Sequence, residues 1–356
     1  MNRERQIRMK QLQVIIIAWM LIGFIIAVYD HLVMHTNNST GTSAEYSFVV
    51  SLAINIGSGL IGALMGGSLL VFFVNVRYRD KPYGHTIIAV ILFFIAIIAL
   101  IAFLIAFISG PIATGKEFLP TLASMMPRTL KALIVWSMVV AITQLLLQVN
   151  SKFGQGIFLN VIKGKYNTPK PEEKMFMFLD LNSSTRIAEQ LGDEKYHALL
   201  KDFFSDITTP ILENRGEIYQ YVGDEVVIAW NYQDGSQNQQ VIKCFYDMKL
   251  QIKKYEQKYL RKYGLVPTFK AGIHGGRVIA GEVGVIKRDI TYSGNVLNTA
   301  SRILNKCAEL QAELIASDDV LSALGLLKEY IPKPLGAIRL RGKEESVILN
   351  ALAPAC

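Results

Sequence analysis

The sequence predicts two unlike parts in one chain, an all-α membrane-spanning half followed by an α+β domain. Three observations predict it. Of the 356 residues, 51% are hydrophobic and only 19% charged, and a mean hydropathy of +0.30 is that of a membrane protein. Four apolar runs, each near or above the ~20 residues a hydrocarbon core requires, precede residue 150. Beyond residue 173 the runs shorten to strand length and are bounded by turn residues.

The apolar runs are 12–34, 48–76, 87–108 and 130–149, which makes 1–149 a transmembrane domain. The first is too long for a removable signal peptide and has no small-residue cleavage site. Arg3, Arg5, Arg8 and Lys10 flank the first run, Arg77, Arg79 and Lys81 follow the second, and Lys152, Lys163 and Lys165 follow the fourth. The loop 36–45 has neither Lys nor Arg, although Lys116, Arg128 and Lys131 lie on that same side. By the positive-inside rule both termini and the second half are cytoplasmic, in a multi-pass protein of the cell (plasma or inner) membrane. The net charge of +8 suits anionic lipid headgroups or another anionic partner. No nucleic-acid module is present, so nucleic acid is not expected as a partner. Cys244, Cys307 and Cys356 have neither metal nor disulfide spacing.

Within the second run, Ser58-Gly59, Gly62-Ala63 and Gly66-Gly67 repeat small residues every four positions. That spacing serves close packing within one chain or dimerisation between two. Asn55 in the same run marks a ligand pocket or a hydrogen bond to a neighbouring helix. His31 and His35, beside Asp30, have metal-ligand spacing but lie where interfacial polar residues are common. Asn38-Ser39-Thr40 matches a glycosylation acceptor. The linker 150–173 carries Phe153, Ile157, Phe158, Val161 and Ile162 in the pattern of a short amphipathic transducer helix. Pro169 and Pro171 then end regular structure. It either transmits membrane motion or is a passive spacer.

In the domain 174–356, residues 175–181 read as a buried strand whose last part carries one acid, Asp180. Runs 217–222 and 225–230 are joined by Gly223-Asp224, a hairpin signal. The two acids stand 44 positions apart (224 − 180) at the ends of neighbouring strands, an arrangement able to hold hard divalent cations through oxygen. Taken singly, Asp180 reads equally as a helix cap and Asp224 as a turn residue. Helices are expected over 185–191, 194–213 (kinked at Pro210), 240–263 and 294–310. Strands are expected over 268–273 and 278–281, separated by His274-Gly275-Gly276, then 289–292, 312–316 and a hairpin of 338–340 with 346–349 around Arg341-Gly342-Lys343. The result is a sheet with helices on one face. His274 reads as a general base or as a structural hydrogen-bonding residue. Met248, Ile252, Tyr255, Tyr259 and Tyr263 form a core stripe, with the lysines of that helix on its solvated side. Asn298 and Arg302 share a helical face; a guanidinium there suits phosphate oxygens.

The stretches FLDLNSST, YQYVGDEVVIAW, GIHGGRVIAGEVG and KRDITYSGNVLNTASRI resemble, in order, the motifs of the class III nucleotidyl cyclases over roughly 170–353. The resemblance implies a ferredoxin-like α+β sheet with helices and head-to-tail pairing of two copies. It implies two Mg2+ or Mn2+ ions per site, held by Asp180, Asp224 and the Leu181 carbonyl. Asn298 and Arg302 would enter from the partner, Asn298 on the ribose and Arg302 on the phosphates, while Arg341 or Lys343 grips the polyphosphate. The base-reading positions of that family fall on Gln220 and Thr291. Glutamine replaces the lysine of adenylate cyclases and the glutamate of guanylate cyclases, and Thr291 matches many bacterial adenylate cyclases. The expected activity is conversion of ATP to 3′,5′-cyclic AMP and pyrophosphate by a membrane-bound homodimer, paired through the catalytic and the transmembrane domains.

Four other readings are weighed. A guanylate cyclase acting on GTP differs only in the base pocket. Diguanylate cyclases also use a Gly-Asp-Glu hairpin, here Gly223-Asp224-Glu225, but the Asn298/Arg302 helix and the incomplete string disfavour them. A non-catalytic nucleotide-binding membrane receptor requires missing metal positions, and all are filled. A transporter requires charge deep in the spans, and none is there.

Overall fold

The computed structural model describes residues 3–36, 47–78, 81–112, 115, 117–153, 164–286, 288–325 and 329–355. The loop 36–45 beyond Thr36, the Asn38-Ser39-Thr40 sequon, Lys116 and the linker stretch 154–163 fall outside them, as does the side chain of His35. The chain divides into two compact units, Arg5–Phe153 and the part that follows it.

The first unit consists of helices α1 (Arg3–Thr36), α2 (Phe48–Arg77), α3 (Tyr83–Phe107) and α4 (Phe118–Phe153), all long and apolar enough to cross a membrane. Their small residues are spent inside the chain. A Cβ at Gly23 would lie 2.5 Å from the Asn55 carbonyl oxygen, and one at Gly59 would lie 2.6 Å from that of Trp19. Gly66 meets the Phe94 ring and Gly67 meets Leu12 and Ile15. The stripe in α2 therefore packs α1 and α3 within one chain and is not a free dimerisation face. Asn55 donates to the Ser51 carbonyl of its own helix at 2.9 Å, not to a neighbouring helix. Asp30 on α1 pairs with Lys131 on α4 at 2.5 Å.

The second unit is built on one sheet of strands β1 (Lys170–Leu181), β2 (Glu217–Val222), β3 (Glu225–Asn231), β4 (Phe269–Val283), β5 (Asp289–Ser293), β6 (Leu314–Ser317), β7 (Tyr330–Arg339) and β8 (Ser346–Pro354). Their order is β2-β3-β1-β4-β6-β8-β7, with β5 on the far part of β4. All pairs are antiparallel except β4 with β6. Met175–Leu179 is a continuous apolar run because β1 is covered on both faces. Met175, Met177, Leu179 and Leu181 face helices α6 (Asp193–Glu213) and α7 (Gln240–Lys254), while Phe176 and Phe178 face α9 (Asn295–Glu309). Helices thus flank both faces, not the single face read from the sequence. Helix α5 (Ser184–Leu191) follows β1 directly.

Several boundaries differ for identifiable reasons. β1 begins at Lys170 despite Pro171, because over 170–173 it pairs only with β4 and β3 joins at Lys174, so the missing N–H lies on an open edge. β4 is one strand, not two. Gly275 and Gly276 stay paired to β1 where β4 exchanges its partner β6 for β5, and a Cβ at Gly275 would press on Met175 and Tyr232. β7 accommodates Pro332 and Pro334 as the edge strand, and it and β8 extend well past the short hairpin expected. The single helix expected over 240–263 breaks at Tyr255 into α7 and α8 (Glu256–Tyr263). The break lets Tyr259 and Tyr263 donate to Asp206 and Asp202 of α6, each at 2.7 Å, with Lys258 and Lys262 on the same acids at 2.8 Å.

Helix α9 lies directly on the backbone of β4. A methyl at Gly272 would collide with Leu304 N and stand 2.8 Å from the Ala300 carbonyl oxygen. Gly272→Ala is therefore expected to destabilise the fold by about 1–3 kcal/mol, read as a lower thermal midpoint. Because it pushes away the helix that carries Asn298 and Arg302, activity should fall further than stability does.

Candidate active site

Strand register brings the two acids together. Asp180 stands opposite Glu225 in the β1–β3 ladder, and Asp224 precedes Glu225 in the hairpin turn opened by Gly223, whose φ of 63° suits glycine. The Asp180 and Asp224 carboxyls are close enough to influence each other electrostatically. Burial, then Asp224, raises the proton affinity of Asp180, opposed by the Lys270 ammonium 3.1 Å away. Burial followed by the charges of Asp180 and Asp224 pushes Glu225 up to about 7. Leu181 is anchored by its buried side chain, which fixes its backbone beside Asp180.

Among the described residues, no group of three or more His, Cys, Asp or Glu side chains converges as a metal site. The donor set is nevertheless suited to magnesium or manganese, ions that take a few carboxylate oxygens and complete their shell from water and substrate phosphate. Two half-buried carboxylates repelling each other, with a lysine paired to Asp180, would be relieved by such a cation.

The second group lies on α9 and the β7–β8 turn. Asn298 is exposed and Arg302 half-buried, four residues apart on α9. Arg302 reaches Gly342: a Cβ there would lie 3.5 Å from its Nη2, and Gly342 itself has a φ of 68°. The guanidinium thus sits against the turn that carries Arg341 and Lys343. Gln220 is exposed near the end of β2, and Thr291 is half-buried in β5. Among the described residues, no hydrogen bond or ion pair joins Asp180 or Asp224 to Asn298 or Arg302 within the chain.

Sequence reasoning missed Lys270. It is the ladder partner of Asp180 on β4, so only the pairing register reveals it. Its neighbour in the motif, His274, is held by a hydrogen bond between Nδ1 and Ser317 Oγ at 2.7 Å. Burial depresses it to about 4, which favours the structural role over that of a general base.

The family model for the adenylate and guanylate cyclase catalytic domain matches residues 168–351, and the chain belongs to this family. Among curated relatives, adenylate cyclase 2 of Rhizobium meliloti (strain 1021) is 34% identical over 206 residues, 58% of this chain and 57% of that protein. Adenylate cyclase 1 of the same strain is 26% identical over 49% of this chain and 27% of its own length. The chain thus spans little more than half of the one relative and about a quarter of the other. The solved structure of a bacterial light-regulated adenylyl cyclase superposes with a TM-score of 0.54 at 21% identity, covering 63% of this chain and 65% of that one, a likeness of fold.

The buried His274 carries a pH signature. Its folded pKa lies below the ordinary 6.5, so the unfolded chain takes up the proton first, and stability present above pH 6.5 is lost as pH falls toward 4. Compared with His274→Asn, wild type should lose on the order of 2 kcal/mol more stability between pH 7.5 and 5, measured by denaturant midpoints at each pH.

Proposed function

We propose that the chain is a membrane-anchored adenylate cyclase that converts ATP to 3′,5′-cyclic AMP and pyrophosphate in a site shared by two copies. The observation that carries this reading is the interaction of Asp180 with Asp224 beside the Lys270 ammonium. The resemblance to the class III cyclases supports a site in which Asn298 and Arg302 come from the partner copy. The names of the curated relatives support ATP as the nucleotide. Four apolar helices and the distribution of Lys and Arg support a multi-pass anchor with the catalytic domain in the cytoplasm.

Asp180, Asp224 and the Leu181 carbonyl would hold two Mg2+ or Mn2+ ions, which lower the pKa of the ribose 3′-hydroxyl and stabilise charge on the attacking and leaving oxygens. The 3′-oxygen attacks the α-phosphorus in line, its proton passes to solvent, and the bond to the β-phosphate bridging oxygen breaks with its electrons leaving on pyrophosphate. Asn298 of the partner subunit orients the ribose through its amide. Arg302 of the partner subunit presents planar donors to the phosphate oxygens as charge develops. Arg341 and Lys343 extend that positive surface along the triphosphate, and Lys270 keeps a cation beside Asp180. Gln220, able to donate and accept, and Thr291 read the base. The membrane half raises the effective concentration of one catalytic domain at the other.

Asp180→Asn and Arg302→Ala should each reduce cyclic AMP formation by at least ~100-fold. Mixed in equal amounts, the two silent variants should recover about a quarter of the wild-type rate, because half of the dimers are mixed and each of those has one intact site. Continued silence, with mixed dimers shown to form, contradicts the shared site. Wild type should form cyclic AMP from ATP faster than cyclic GMP from GTP; the reverse contradicts the adenine assignment.

A further inference from the structure

Strand β2 is irregular beside one of the base-reading positions. Ile218 pairs with Ile228 and Gln220 with Val227, which leaves Tyr219 as an extra residue in a bulge. A bulge re-aims side chains, and here it turns Tyr219 and Gln220 toward the same face. Gln220 stands opposite Val227, and Tyr219 packs into the cluster that contains Val227, Phe176 and Tyr292. The Tyr219 ring meets Tyr292 of β5 at 5.1 Å and 60°, and Phe176 of β1 closes the trio at 6.3 Å from Tyr219 and 5.4 Å from Tyr292.

Among the described residues β5 pairs with β4 alone, so its outer N–H groups have no strand partner. Tyr219 Oη accepts one of them, the N–H of Tyr292, at 3.4 Å. That N–H belongs to the peptide group that joins Thr291 to Tyr292. One side chain thus connects the two places where the base would be read. It is the chain neighbour of Gln220, and it holds the peptide that follows Thr291.

We propose that Tyr219 is a positioning residue for base selection, setting the distance between Gln220 and Thr291 by clamping β5 to β2. The proposal rests on those two positions reading the base. Discrimination between purines requires both hydrogen-bonding groups to meet the base edge together, and such bonds weaken within a few tenths of an ångström. Loss of the Tyr219 hydroxyl acts on nucleotide recognition, whereas the ring stays in the cluster against which α9 packs and the acid pair is set by the β1–β3 register. The effect belongs in KM and in the ratio of ATP to GTP use, not in kcat.

The test is steady-state kinetics with ATP and with GTP on the full chain in lipid nanodiscs, for wild type, Tyr219→Phe and Thr291→Ala, with a thermal midpoint for each. Tyr219→Phe keeps the ring and removes Oη. It is expected to raise KM for ATP and lower the ATP/GTP ratio of kcat/KM, each by roughly fivefold, with kcat for ATP and the thermal midpoint unchanged. If Thr291→Ala shifts the ratio and Tyr219→Phe does not, the clamp is overturned while the base-reading positions stand. If Tyr219→Phe lowers kcat and the thermal midpoint with the ratio intact, its role is structural and the proposal falls. If Thr291→Ala also leaves the ratio at the wild-type value, the base-reading assignment fails and the clamp fails with it.

Discussion

The site depends on the antiparallel register of β1 with β3. Asp180 opposes Glu225, and since Asp224 is the preceding residue of a tight turn, that single alignment decides that the two acids meet. A slip of one residue would send Met175, Met177 and Leu179 to the wrong face of the sheet, exchanging them with Phe176 and Phe178. Both faces of β1 are buried, so the cost of a slip falls on two cores at once. The packing is what holds two repelling carboxylates in place. The strand is central, with β3 and β4 on either side, and β4 supplies a compensating charge, Lys270, through the adjoining ladder.

The other half of the chemistry is mounted on the opposite kind of contact, a helix laid on strand backbone. Gly272 allows α9 to approach β4 until Ala300 and Leu304 lie against the strand, and this fixes the line along which Asn298 and Arg302 project. Gly342, in a left-handed turn, leaves room for the Arg302 guanidinium beside Arg341 and Lys343. In the proposed mechanism one chain carries an acidic half-site at the ends of β1 and the hairpin, and a basic half-site on α9 and the last turn. Pairing two copies head to tail would join unlike halves, and a membrane anchor that keeps the copies together gives such an arrangement a high local concentration.

What the sequence revealed and what it hid divide along physical lines. The apolar spans, the strand with Asp180, and the Gly223-Asp224 hairpin were legible because each is a local pattern of hydrophobicity or turn chemistry. The unity of β4 was not, since His274-Gly275-Gly276 reads as a turn and only its pairing with β1 keeps it extended. The break at Tyr255 was invisible because the apolar stripe continues across it; the acids of α6 that draw Tyr259 and Tyr263 lie 53 and 61 residues away in sequence. Lys270 and the Tyr219 bulge were hidden for the same reason, each being defined by a partner strand. The small residues of α2 signalled close packing, yet only the contacts with Trp19, Phe94 and Ile15 tell that the partner helices belong to the same chain.

The central claim is that Asp180 and Asp224 together form a divalent-cation site. Manganese binding to the full chain, followed by electron paramagnetic resonance with a non-reactive ATP analogue present, addresses it most directly. Wild type should bind Mn2+ with the triphosphate, and Asp180→Asn and Asp224→Asn should each lose that bound signal while the fold persists. Undiminished Mn2+ binding in both variants would contradict the account.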